Sequence, residues 1–170
     1  MKITKSNLPE TSLLKNIPHD YVDSYSVTLN AKDLTIEQVG RSFFTSSPAW
    51  VDALLILRDK IVGMIGLKTA GDASNREKLL ARFKCEVGEQ LALFKVFAKN
   101  EHEVILGEDD KHLDFRVSLF LDRQKNALTV STVVKTHNWL GRLYFLPVKP
   151  FHKMIVPTMV RGMARHLQKD

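Results

Sequence analysis

Between Leu113 and Leu121 every second residue is large and apolar: Leu113, Phe115, Val117, Leu119 and Leu121 take one phase, and His112, Asp114, Arg116 and Ser118 take the other. Side chains of a strand alternate between two faces, whereas a helix would scatter this set around its circumference. The segment is therefore a half-buried strand, and its neighbours repeat the signal. Residues 127–136 (ALTVSTVVKT) set Leu128, Val130, Thr132 and Val134 against Thr129, Ser131 and Lys135, and residues 91–99 and 102–110 carry two further strand-like runs. The links are short and polar, as in DRQKN at 122–126, which suits antiparallel pairing rather than crossovers.

Upstream, Tyr25, Val27 and Leu29 alternate with Ser24, Ser26 and Thr28 in a first strand over residues 21–29. The period then lengthens. Thr35 and Gln38 fit a capping box, with Ile36, Val39 and Phe43 on one helical face. Ser47 and Pro48 open a second helix, along which Trp50, Leu54, Leu57, Ile61 and Ile65 recur at three-to-four-residue spacing. Ser74 with Glu77 would cap a further short helix, REKLLARFK. At the end of the chain Ile155, Met159 and Met163 form a helical stripe and Arg161, Arg165 and Lys169 a second one. Pro147 and Pro150 are expected to precede or open that helix, and Pro157 to kink it.

These periods predict an α+β fold in which a curved antiparallel sheet wraps one long C-terminal helix, with two shorter helices after the first strand. The apolar strand faces would meet the Ile/Met stripe, and the polar faces would meet water. At 170 residues the chain reads as a single domain, 1–170, with residues 1–18 as an N-terminal extension.

The lone Cys85 excludes an internal disulfide, and no Cys/His array points to structural zinc, so neither a metal nor a cofactor is expected. Met1 to Glu10 contains no apolar h-region, and no run of uncharged apolar residues is long enough to span a bilayer. A cytoplasmic location is the expectation. The net charge of +6 lies wholly in residues 135–170, which carry seven basic residues against Asp170. No nucleic-acid module accompanies it, so the basic helix is either a solvated face or a contact for an acidic partner.

The run EVILGEDDKHLDFRVSL followed by THNWLGRLYFLPVKPFHKMIV is similar to a bacterial family known mainly as a domain of unknown function. The element order also resembles the helix-grip fold of the START-like (SRPBCC) superfamily, which includes the birch-pollen allergen, polyketide cyclases and lipid-transfer domains. The resemblance implies a cavity between sheet and terminal helix, but no reaction and no catalytic residues.

Several clusters bear on such a cavity. The GEDDKH stretch reads as a turn, with an ion pair from its carboxylates to Arg142 or Lys149 as the sharper alternative. Asp114 and Arg116 share a strand face that should point outward, because the opposite face is apolar. His137, Asn138, Arg142, Tyr144 and His152 are either polar groups at a cavity mouth or ordinary caps, with His152 near a helix N-terminus and Asn138 in a turn. Two histidines with no third ligand are weak support for a metal site. No G-x-S-x-G nucleophile motif is present. Trp139, Leu143, Phe145, Phe151, Met154 and Met159 read as core, which in this fold lines the cavity.

The leading expectation is a small-molecule binding or carrier domain for an apolar or amphipathic ligand. Trp50, Leu54, Phe115, Met159 and Met163 would line its pocket, and Arg142 or Tyr144 would meet a polar end. One alternative is an enzyme using His152 in general acid–base chemistry on an apolar or aromatic substrate. The other is an interaction module that applies the basic C-terminal helix to an acidic partner or a membrane surface.

Overall fold

The computed structural model describes residues 1–31, 33–51, 53, 54, 56 and 76–168. Seven strands, β1 (Thr4–Lys5), β2 (Tyr21–Thr28), β3 (Gln90–Leu91), β4 (Phe94–Lys99), β5 (Glu103–Asp109), β6 (Leu113–Asp122) and β7 (Ala127–Thr136), form one antiparallel sheet in the order β1-β2-β7-β6-β5-β4-β3. The alternation of Leu113 to Leu121 becomes β6, and residues 127–136 become β7 from end to end. Pairing runs Leu113↔Thr136 to Asp122↔Ala127 between these two strands, so their apolar phases share one face.

Among the described residues, helices α1 (Ile36–Thr45), α2 (Arg76–Arg82) and α3 (Trp139–Leu167) accompany the sheet. Helix α1 begins at the predicted capping box, with Thr35 accepting from the Gln38 amide and Gln38 reaching back to the Thr35 amide. Ile36, Val39 and Phe43 are buried. Residues 49–51 are helical after Pro48, whereas Leu57, Ile61, Ile65, Ser74 and Lys169 lie outside the described residues.

The curved sheet holds the second half of α3, where Val156, Met159, Val160, Met163, Ala164 and Leu167 are buried against Val117, Leu119, Leu128 and Val130. Two glycines permit close approaches. A Cβ on Gly40 would fall 2.2 Å from Cys85 Sγ, and one on Gly141 would fall 2.0 Å from the His112 carbonyl oxygen.

Three features depart from the sequence reading. First, α3 starts at Trp139, upstream of Pro147 and Pro150, because the Asn138 side chain accepts from the Gly141 amide at 2.9 Å and caps the helix there. His152 is consequently in mid-helix rather than near its start. Second, the outer face of the sheet is not simply wet. The segment that follows the edge strand β1 lies along it: Leu14, with Leu8 and Ile17, packs with Ile105 and Val133 in a second apolar cluster. Small hydroxyl residues allow that approach, since Ser24 and Ser131 bond one another at 2.8 Å and are buried, as is Ser118.

The third departure concerns Trp139, Leu143, Phe151 and Met154, which are exposed on α3 rather than buried in a core. Asp114 and Arg116 do point outward. Arg116 stacks over Phe97, 3.5 Å from the ring centroid, and pairs with Asp109. The 108–110 carboxylates form no ion pair with Arg142 or Lys149 among the described residues.

Candidate functional site

In β2 the residues of the inner phase are Tyr21, Asp23, Tyr25 and Val27, so a single carboxylate interrupts an apolar and aromatic series. Its direct partner on β7 is Thr132, likewise the one hydroxyl among Leu128, Val130 and Val134. Opposed residues in an antiparallel pair carry their Cβ atoms about 5 Å apart. The sheet therefore sets a carboxylate and a hydroxyl side by side on the face that α3 covers.

Asp23 is 6% exposed and Thr132 2%. Burying an ionisable group is costly unless it is hydrogen-bonded. One oxygen meets that requirement: Asp23 Oδ2 accepts from the Tyr21 hydroxyl at 2.7 Å and lies 3.1 Å from His152 Nδ1. Among the described residues, Asp23 Oδ1 and Thr132 Oγ1 have no hydrogen-bond partner. Two cross-strand partners thus each carry a buried oxygen without a described partner, beside a carboxylate–imidazole pair.

Aromatic groups frame the cluster. Tyr21 meets Phe145 edge-on at 5.1 Å and His152 at 6.0 Å, with Lys149 Nζ 5.1 Å above its ring. Burial, and then the bond to Asp23, holds the Tyr21 phenol well above the ordinary tyrosine value. Burial and the Asp23 charge also raise Tyr25. Both phenols consequently stay protonated, and Tyr21 acts as a donor throughout the physiological range. The cover over this site is light, because no residue of α3 from 142 to 155 is fully buried.

The other predicted site residues do not converge here. Met159 and Met163 belong to the main core, with Phe115 partly buried against it. Trp50 is exposed, Leu54 is half-buried and Arg142 is exposed, while Tyr144 is half-buried on α3. His137 Nε2 pairs with Asp114 at 2.9 Å on the outer face. His152 alone of the eight joins the polar cluster.

The sequence reading does not single out Asp23 and Thr132, although each is polar and sits on the apolar phase of its strand. Among the described residues, a depression of about 220 Å³ lies near Leu34 and Leu121 and another of about 170 Å³ near Ile17 and Arg116, and α3 lines neither of these.

Sheet, helix and buried pair define an α+β domain in which a curved antiparallel sheet holds one long terminal helix over a carboxylate–imidazole contact. The chain belongs to the family described as protein of unknown function (DUF2867), which matches residues 18–159. No curated protein and no solved structure matches it.

Proposed function

We propose that the domain binds a small apolar or amphipathic molecule between β2 and the first half of α3, with the ligand's polar end on Asp23 and Thr132. The observation that carries this reading is that the cross-strand partners Asp23 and Thr132 each hold a buried oxygen, Oδ1 and Oγ1, with no hydrogen-bond partner among the described residues. An ionised carboxylate only accepts, whereas a hydroxyl donates or accepts. The complementary group is therefore a hydroxyl, amine or amide that donates to Asp23 and shares a second bond with Thr132. Tyr21 and Phe145 supply apolar surface around it. The helix-grip architecture of START-like proteins, which the element order resembles, is consistent with a ligand seated between sheet and terminal helix.

A titration with amphipathic alcohols and amines, followed by thermal shift, tests the reading. Donor-bearing compounds should stabilise the wild type, and Thr132→Val should weaken them by about tenfold, one lost hydrogen bond in a buried site. Equal binding by matched compounds that lack the donor would remove Asp23 and Thr132 from the site.

One contact favours a second reading, an enzyme. Asp23 Oδ2 at 3.1 Å from His152 Nδ1 orients the imidazole as a carboxylate orients a general base. In this case His152→Ala abolishes turnover of a bound substrate while leaving its affinity intact, and unchanged turnover disproves it.

A further inference from the structure

The first half of α3 carries two faces. Its inner side covers Tyr21 and Asp23, as described above. Its outer side is apolar and no described residue covers it: Trp139 is 73% exposed and Leu146 70%, and Leu143, Pro150 and Met154 are exposed with them. At 3.6 residues per turn these five residues fall within about 80° of one another. Arg142, Lys149 and Lys153, all exposed, fall within about 40° along the edge of that stripe.

Among the described residues none of these three cations meets a carboxylate. Residues 139–168 contain no Asp or Glu at all. We propose that this face seats the domain on the anionic surface of a lipid bilayer.

Charge selects the occupant first. A second copy of the same stripe would bring cations against cations with no acidic group on the helix to offset them, so self-pairing is disfavoured. The occupant must supply negative charge beside apolar surface. An exposed apolar stripe edged by Lys and Arg, with Trp at one end, has the composition of a helix that lies in a membrane interface.

The prolines then separate a bilayer from a dry protein groove. Pro147 and Pro150 have no N–H, so the carbonyls of Leu143 and Leu146, both on the stripe, lose their normal i+4 donors. In a dry groove these oxygens would be desolvated without partners. At the boundary between head groups and acyl chains, water reaches them while the Leu, Trp and Met side chains enter the hydrocarbon. Arg142 and Lys153 extend to the lipid phosphates, and Lys149, which lies over the Tyr21 ring, adds its charge from the edge of the stripe. The seating is shallow, and no helix among the described residues is long and apolar enough to cross a membrane.

The full chain carrying Trp50→Phe leaves Trp139 as its only tryptophan and reports directly on the stripe. It is mixed with phosphatidylcholine vesicles, with and without phosphatidylglycerol. The expected result is co-sedimentation and a blue-shifted Trp139 emission with phosphatidylglycerol only, weakening as salt is added. Lys149→Glu and Lys153→Glu should each weaken partitioning by about fivefold or more. Leu146→Asp, a change at an exposed position, should abolish the blue shift while circular dichroism stays that of the parent.

Absence of co-sedimentation with phosphatidylglycerol vesicles overturns the proposal, as does undiminished binding by Leu146→Asp. If vesicles are ignored but Leu146→Asp converts a dimer into a monomer, the stripe is an interface between copies and the membrane assignment is wrong.

Discussion

His152 Nδ1 stands 3.1 Å from Asp23 Oδ2, which ties the middle of α3 to β2 across most of the chain. Both groups sit at the thinly covered end of the helix. The second half, around Met159 and Met163, is anchored in the core. The polar contact therefore positions the part of α3 that apolar burial does not hold, and it leaves Asp23 Oδ1 and Thr132 Oγ1 without partners among the described residues.

An unpartnered buried hydroxyl lowers stability. Thr132→Val keeps the shape and removes that hydroxyl, so the ligand-free variant should be more stable than the parent by about 1 kcal/mol. Urea unfolding with unchanged m-value checks this, and a loss of stability would mean that the hydroxyl is satisfied in solution. The combination of raised stability and weakened ligand binding is the pattern of a site kept for function.

Glu103 is fully buried on the outer face, where its carboxylate accepts from Ser12 Oγ at 2.6 Å, from the Leu13 amide at 2.7 Å and from Ser118 Oγ. These bonds fasten residues 12 and 13 to β5 and β6. Glu103→Ala strands two buried hydroxyls and the partly buried Leu13 amide, and should cost about 2–4 kcal/mol. Limited proteolysis should then cut within residues 1–18 well before the sheet, whereas a variant that resists as the parent does would show that Leu14 alone holds the segment.

Gly40 and Cys85 share one space. Burial pushes the Cys85 thiol up to about 12, so alkylation at neutral pH should proceed only on unfolding. Gly40→Ala places a methyl against Sγ and should destabilise by about 1–3 kcal/mol. In Cys85→Ala the sulfur is gone, and adding Gly40→Ala to that background should cost far less. A double-mutant cycle with no coupling would contradict the close approach.

Acid stability should depend partly on Asp20. Hydrogen bonds from Lys135 Nζ at 2.9 Å and from the Thr136 amide and hydroxyl, each at 2.8 Å, hold its carboxyl well below the usual range. A group whose folded value is depressed contributes stability above its unfolded value, about 3.9, and that contribution is lost as pH falls through the folded value. Asp20 is half-exposed, so the contribution is modest, about 0.5–1 kcal/mol. Asp20→Asn should remove that amount at pH 7 and flatten the decline below about pH 4; an unchanged acid limb would assign it to other carboxylates.

Strand phase was the most legible part of this sequence. The period-2 run of β6 and the bounds of β7 follow from side-chain alternation alone, and Thr35 with Gln38 marked the start of α1. Polar residues inside that alternation were harder to weigh. Asp23 lies on the same phase as Tyr25 and Val27, yet a lone carboxylate in a strand looks like surface until its partner is known, and His152 is far away in the chain.

Prolines misled in a different way. Pro147 and Pro150 suggested that α3 begins late, while the cap that starts it, Asn138 followed by Gly141, lies upstream. Apolar character likewise does not say which side of a helix is covered, so Trp139, Leu143 and Met154 read as core. The burial of the N-terminal segment depends on Glu103, a residue about ninety positions away, and no local pattern announces it.

Native mass spectrometry of the protein purified without denaturation, set beside the Thr132→Val variant after exposure to the same cell extract, tests the ligand site most directly. The account predicts a defined added mass on the wild type that is released on unfolding, belongs to a compound with a hydroxyl, amine or amide, and is depleted in the variant. A wild-type spectrum free of any added mass, or an adduct that the variant retains equally, would contradict it.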